Sequence, residues 1–257
     1  MISAVLISYN EGKLLKRCLE SIKEFVSEIV VVDLGSTDDS AEVFKQYNVK
    51  VVNHSWVPYA DPIRNFAIDQ AKNDWILMLD PDEQVPSSLK QRLTDLLDSE
   101  ESKKYTAVNI PFKNIFFDKW IAHTNFWPDK HLRFFKKGSL EWQDRVHLYP
   151  KVEGDILQLP AQEQFAVIHQ SYKTWGEFVK KQTKYANSEA THRKEVGESF
   201  SIYRLTWLPL REFLARFIKH QGYLDGINGV FIVATLMWYH VLVEWFLLTG
   251  INKDEIR

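Results

Sequence analysis

The stretch Trp75-Ile76-Leu77-Met78-Leu79-Asp80-Pro81-Asp82-Glu83 decides the fold class. Its unbroken apolar run suits a strand covered on both faces, and the run stops abruptly in carboxylates. Working back toward the N-terminus, short β-branched runs alternate with amphipathic stretches. These are Ala4–Ser8, a helical pattern from Lys13 to Phe25, Ile29–Asp33, a second helical stretch from Ser40, Val49–Asn53, and a third helical stretch around Pro62–Ala71. That alternation predicts an α/β fold with a mostly parallel sheet flanked by helices. Working forward, Leu89, Leu93, Leu96 and Leu97 recur at helical spacing after Pro86, with Ser87 or Ser88 placed to cap.

Three segments follow from this pattern. Residues 1–102 form the α/β half. Residues 103–172, rich in Phe, Trp and His, carry strand-like pieces at Thr106–Ile110, His131–Phe135 and Ile156–Leu159. Residues 173–257 read as a helical extension. A chain of 257 residues with 45% hydrophobic content can bury one sizeable core and a smaller appended region. The single cysteine, Cys18, sits among Leu14, Leu15, Leu19 and Ile22 and reads as a buried apolar residue. Met1–Ile7 carries neither a basic leader nor a cleavage site, from which a cytoplasmic catalytic part is expected.

The net charge of −2 hides an asymmetry: residues 173–219 hold ten Lys/Arg against five Asp/Glu, just before the most apolar part of the chain. Val230–Val243 is apolar apart from Thr235 and His240, and Glu244 follows at once. A clean span needs about 20 apolar residues. Asn228, His240 and Glu244 shorten the run, while Trp238, Tyr239 and Trp245 favour an interface. The expectation is a helix lying in a membrane surface or a hairpin dipping into it, with Arg204, Arg211, Arg216 and Lys219 facing anionic headgroups; a buried core helix is the alternative. A slightly acidic chain whose basic segment borders an apolar one does not suit nucleic acid.

In open α/β sheets ligands bind at the carboxyl ends of the strands. Here those ends read Ser8-Tyr9-Asn10-Glu11, Asp33-Leu34-Gly35-Ser36-Thr37-Asp38 and Asp80-Pro81-Asp82-Glu83. Asp80 and Asp82 offer a hard oxygen set that suits Mg²⁺ or Mn²⁺ already carrying phosphate oxygens. Neither a Walker loop nor Gly-x-Gly-x-x-Gly occurs, so a cation is expected to do work that a glycine loop does elsewhere. His123, His131 and His169 are too far apart for a local zinc site and read as structural or surface residues. Of Trp120, Trp127 and Trp142, one is expected to stack on a ligand ring and the others to fill core.

Taken together, Ser8-Tyr9-Asn10-Glu11, Val31–Asp38, Arg64-Asn65 and Trp75–Glu83 resemble glycosyltransferase family 2. Leu132–Lys137, Val146-His147 and Gly222-Tyr223-Leu224-Asp225-Gly226 extend the resemblance to the subgroup with the lipopolysaccharide-core β-1,4-glucosyltransferases. The resemblance implies a GT-A fold, a nucleotide-diphosphate sugar donor such as a UDP-sugar, a divalent metal, inversion at the anomeric carbon, and a glycolipid or lipid-linked glycan acceptor. It also implies a site on the cytoplasmic side of the bacterial inner membrane, peripheral or monotopic. It places the base at Asp33, with Ser36 beside it, lines the nucleotide pocket with Ser8, Tyr9, Asn10 and Glu11, and sets Arg64 near base and diphosphate, with a helix-surface arginine as the alternative. Asp80 would reach the ribose or a metal-bound water, and Asp82 would bind the metal directly. Arg133 would neutralise phosphate, with a structural salt bridge as the alternative, and Trp142 would meet the acceptor.

Inverting transfer needs a general base. Relatives with Val-His-Glu place a glutamate where this chain has Val146-His147-Leu148, which leaves Asp144 first, then Glu141 and Glu83, with His147 a third metal ligand or an acceptor contact. Two rivals remain at this point: a degenerate sugar-nucleotide-binding protein, and a sugar-phosphate nucleotidyltransferase, whose glycine-rich triphosphate loop Tyr9-Asn10-Glu11-Gly12 does not supply.

Overall fold

The computed structural model describes residues 1–143 and 149–250. The chain divides into two compact units, one of residues 1–113 with 129–169 and one of 114–128 with 170 onward. The segment read as one β-rich piece, 103–172, is thus shared between them.

In the first unit, β1 (Ile2–Ser8), α1 (Gly12–Ile22), β2 (Glu28–Asp33), α2 (Ser40–Gln46), β3 (Lys50–Asn53), α3 (Arg64–Asp69) and β4 (Trp75–Leu79) follow the expected alternation. The chain continues through β5 (Glu83–Gln84), α4 (Ser87–Asp98) and α5 (Glu101–Lys104) into β6 (Tyr105–Phe116). β7 (Lys119–Trp120) lies in the second unit. β8 (Asp129–Lys136), β9 (Leu140–Glu141), β10 (Lys151–Val152), β11 (Asp155–Gln158) and the first residues of β12 (Val167–Tyr172) return to the first. The large sheet runs β3-β2-β1-β4-β8-β6-β12-β5. The first four strands are parallel, and the sheet then turns antiparallel at β4–β8 and β8–β6. It is therefore mixed: the α/β half is parallel as its pattern requires, while hairpin-like pairing takes over beyond it.

Side-chain alternation sorts the parallel strands between two cores. Ile2, Ala4 and Leu6 of β1 and Trp75, Leu77 and Leu79 of β4 pack with Leu15, Cys18, Leu19 and Ile22 of α1 and Leu89, Leu93 and Leu96 of α4. Val5, Ile7, Ile76 and Met78 point the other way, onto Ile63, Ala67, Ile68 and Ala71. Both faces are covered, so every residue of β1 and β4 is buried. Cys18 is an inert member of that core. The N-cap of α4 is Pro86, with no side-chain cap, instead of either serine. A proline at φ −71° has no N–H to satisfy and already holds the angle the first turn needs.

The second unit holds α6 (Trp175–Glu195), α7 (Ile202–Glu212), a π-helical continuation (Phe213–Lys219) and α8 (Gly226–Thr249). One apolar cluster joins Phe116, Ile121, Phe178 and Ile232, and another joins Ala186, Ala190 and Val243. Two of the four basic residues expected at headgroups are spent internally instead. Arg204 donates to Glu244 at 2.6 Å, and Arg216 donates to Glu212 at 2.6 Å and to the Thr124 carbonyl at 2.8 Å. Glu244 is wholly buried, so it demands such partners. Gly229 lets α8 start against the preceding turn: a Cβ there would lie 1.9 Å from the Gly222 carbonyl oxygen. Asp225 accepts the Ala122 and His123 backbone N–H groups and meets His123 Nδ1 at 3.0 Å.

Candidate active site

Three strand-end loops of the first unit carry the chemistry. The loops after β1 and β2 are stitched together. The Ser36 hydroxyl donates to Asp33 at 2.6 Å and accepts the Asn10 N–H at 2.9 Å, while the Asn10 side chain accepts the Thr37 N–H at 2.7 Å. Asn10 adopts φ 55°, which its short polar side chain tolerates. Asp38 accepts the Gly12 N–H at 2.9 Å, holding the start of α1 beside the start of α2. A Cβ on Gly12 would stand 2.0 Å from an Asp39 side-chain oxygen and 2.9 Å from the Ser40 backbone nitrogen, so a larger residue there would force this junction to shift. Tyr9 is exposed and meets Trp56 edge-on at 6.4 Å. Ser8 is buried with its hydroxyl unpartnered.

After β4 the three acids take three different environments. Asp80 is held by two arginines: one oxygen meets Arg133 Nη2 at 2.6 Å and the other Arg64 Nη2 at 3.5 Å. Surrounding protein opposes its ionisation, yet the Arg133 and Arg64 guanidiniums hold its carboxyl well below the usual carboxylate range. Glu83, 1% exposed, accepts Arg133 Nη2 at 2.5 Å on one oxygen and the Asp80 N–H at 3.0 Å on the other. Burial, aided by Asp80 and Asp82 and opposed by Arg133, pushes its pKa up to about 8. Asp82 differs: one oxygen lies 3.4 Å from His169 Nε2 and the other is buried with no partner. Burial would depress His169, but the bond to Asp82 and the nearby acidic charges raise it above its ordinary value. Burial, with the charges of Asp82 and Asp80, likewise lifts Glu11 to about 7.

Next to these acids lies a cavity of about 340 Å³ lined by Asp61, Arg64, His131, Arg133, Trp142 and Tyr149 among others. The Arg64 guanidinium stands 4.7 Å above the Trp142 ring. Asn65 fixes that tryptophan by accepting its backbone N–H at 2.9 Å and donating to its carbonyl at 2.7 Å. The other two tryptophans, Trp120 and Trp127, belong to the second unit and pack edge to face.

The structure thus brings together Ser8, Tyr9, Asn10, Glu11, Asp33 and Ser36 on two linked loops, and Arg64, Asp80, Asp82, Glu83 and Arg133 around the third. Glu141 is apart: its side chain is exposed on β9, 3.9 Å from Lys151. Asp144 and His147 lie outside the described residues. From sequence alone His169 has a structural or surface place; pairing of β12 with β5, which sets His169 opposite Glu83, delivers it to Asp82. Among the described residues, no cluster of three or more His, Cys, Asp or Glu side chains is arranged to enclose a metal ion.

The Glycosyl transferase family 2 model matches residues 3–151. The chain belongs to glycosyl transferase family 2. It is 27% identical over 238 residues to an uncharacterized glycosyltransferase of Rickettsia felis, covering 89% of this chain and 82% of that one. It is 26% identical over 236 residues to the lipopolysaccharide core biosynthesis glycosyltransferase LpsC of Rhizobium meliloti, covering 89% and 84%. Among solved structures, the mannosyltransferase PcManGT of Pyrobaculum calidifontis, in complex with GDP-Man and Mn²⁺, aligns with a TM-score of 0.54 at 14% identity, over 98% of this chain and 88% of that one. That likeness shows the fold, which is GT-A.

Proposed function

We propose that this family 2 member is an inverting hexosyltransferase that uses a nucleotide-diphosphate sugar, a UDP-sugar first, and a divalent cation. Its acceptor is a lipopolysaccharide-core or other envelope glycan, reached from the cytoplasmic side of the inner membrane as a peripheral or monotopic protein. The observation that carries this reading is the Asp82 environment: one buried oxygen without a partner beside an imidazole, on the loop after a fully buried strand. Mg²⁺ is held through one or two carboxylates and completes its shell with substrate phosphates, and the Asp82 carboxylate, with one oxygen unclaimed and His169 against the other, would fit as such a ligand. A cation held there supplies positive charge against the diphosphate as it departs.

The chain's own residues do the rest. Asp33, fixed by Ser36, accepts from the nucleobase, and Tyr9 offers an aromatic face beside it. Arg64, braced by Asp61 and stacked on Trp142, aims at the sugar-diphosphate. Arg133, tied to Asp80 and Glu83, holds the Asp80 loop in place. Asp144 removes the acceptor hydroxyl proton as the anomeric carbon is attacked; Glu83 is enclosed and both its oxygens are engaged, and Glu141 stands away from the cluster. LpsC similarity supports an envelope acceptor.

The test is thermal shift with UDP-, GDP-, ADP- and dTDP-sugars, with Mn²⁺ or with chelator. A ligand at a hundredfold its Kd stabilises by about 2.7 kcal/mol. A Mn²⁺-dependent shift that vanishes in Asp82→Asn and shrinks in His169→Asn is expected. A full shift in chelator, or an undiminished Mn²⁺ response in Asp82→Asn, refutes the site.

A further inference from the structure

The helices of the second unit do not all present the same kind of surface. The exposed positions of α6 include Lys180, Lys181, Ser188, His192 and Lys194, an ordinary wetted face. On α7 and its π-helical continuation the exposed positions at helical spacing are Tyr203, Trp207, Leu210, Leu214 and Ile218. On α8 they are Ile227, Val230, Trp238, Trp245 and Leu248. Tyr223 and Leu224, in the turn between the two, are exposed as well. Two helices that pack on each other thus both turn apolar stripes outward, the reverse of a soluble protein's surface helices.

Charge follows the same sorting. Residues 202–250 contain three acids, and all turn inward: the side chains of Glu212, Asp225 and Glu244 are 15%, 4% and 0% exposed. The basic side chains left outside are Arg211 and Lys219, each one position after a stripe residue, Leu210 and Ile218. A basic side chain flanking an apolar stripe rich in Trp and Tyr is the composition that suits the boundary of an anionic bilayer, where stems lie along the acyl region and charges reach the headgroups.

The stretch Gly222–Thr249 is long and apolar enough to cross a membrane by length and composition. Its packing argues for a different placement. Glu244 is buried in a charged knot with Arg193 of α6 and Arg204 of α7, and His240 faces Glu212. α8 could span only by drawing these groups and the lysines of α6 through the acyl region, or by breaking the knot.

Resting on the membrane contact assigned under the proposed function, we propose that the outward stripes of α7 and α8 form the lipid-binding face. In this arrangement α8 lies in the plane of an anionic bilayer and does not cross it.

The experiment uses the full chain and vesicles of phosphatidylethanolamine with phosphatidylglycerol, in flotation and in quenching of tryptophan by lipids brominated at different acyl depths. Leu214→Glu and Trp245→Glu, one on each stripe, are each expected to lower the bound fraction at least tenfold. Val196→Glu, an exposed apolar residue off both stripes, is expected to bind as the wild type does. Quenching is expected to be strongest for shallow bromines. If the wild type binds and both stripe variants bind equally well, the face is wrong while membrane contact stands. If the wild type does not bind at all, membrane contact itself fails. Strongest quenching at the deepest bromines overturns the in-plane placement. A lipid-free dimer that both stripe variants dissociate overturns lipid as the occupant in favour of a second copy.

Discussion

Replacing Arg133 with Met keeps most of the side-chain volume and removes the group on which the Asp80 loop turns. The structure sets the magnitude. Arg133 is buried, and its Nη2 serves two acceptors, Asp80 at 2.6 Å and Glu83 at 2.5 Å. Asp80 retains Arg64 at 3.5 Å, and Glu83 retains the Asp80 N–H. Asp80 therefore loses one charge-assisted bond and Glu83 its hydrogen bond from the guanidinium, and each keeps one partner. Breaking a buried pair from one side costs about 3–5 kcal/mol, and the remaining partners place this case at about 3. At 2–4 °C per kcal/mol for a chain of this size, the melting temperature should fall by about 6–12 °C in metal-free buffer without donor, read by circular dichroism. Glu83→Leu added to Arg133→Met removes an uncompensated acid and should recover part of the loss. An Arg133→Met protein as stable as the wild type, or a double variant weaker than the single, refutes the pairing.

Two further outcomes concern the second unit. Glu212 is held down to about 2 by its contact with His240 and its bond to Arg216, against burial that opposes them. A carboxylate depressed in the folded state stabilises fully above its ordinary value of 4.5 and loses that contribution as pH falls toward about 2. Glu212→Gln should therefore flatten the decline of stability between those limits, and an unchanged acid limb in thermal unfolding would falsify the contact. Gly229→Ala should destabilise by about 1–3 kcal/mol through overpacking against the Gly222 carbonyl, although alanine in a helix interior ordinarily gains about 1 kcal/mol over glycine. An increased melting temperature would show that the turn yields.

The parallel half was legible because two signals agree there. A continuous apolar run marks a strand covered on both faces, and a polar break marks its carboxyl end, so Asp33, Asp80 and Asp82 could be placed from spacing alone. His169 could not. It is far along the chain from Asp82, and what joins them is the pairing of β12 with β5, a strand of only two residues that leaves no periodicity to read. Arg133 was recognisable as a charge near phosphate or in a salt bridge, but nothing local says that it serves Asp80 and Glu83 together. The helices of the second unit show a different limit. Tyr203, Trp207, Leu210, Leu214 and Ile218 have the spacing of any amphipathic helix, and spacing identifies a stripe without saying which way it faces. Arg204 and Arg216 were read as lipid-facing from charge alone. Glu244, the buried acid that claims Arg204, comes from another helix, and Glu212, one turn before Arg216, holds it together with the distant Thr124 carbonyl.

Asp80, Asp82 and Glu83 are equivalent as letters, and the fold makes them unequal. Asp80 and Glu83 converge on Arg133, and Asp80 also reaches Arg64, which Asp61 braces from its own helix turn. The arginines nearest the cavity are thus partly neutralised before any ligand arrives. In the proposed reading, a diphosphate entering there would meet guanidiniums whose charge is already shared, in a chain without a glycine loop to offer backbone N–H groups instead. Asp82 is the acid of this loop left with a buried oxygen unclaimed, and its other oxygen faces an imidazole. In the proposed reading, a divalent cation at that oxygen would answer both deficits at once, satisfying the orphaned acceptor and supplying the charge that the paired arginines cannot give in full. The dependence of donor binding on the cation should accordingly be steep, and it should be lost with Asp82 before it is lost with either arginine.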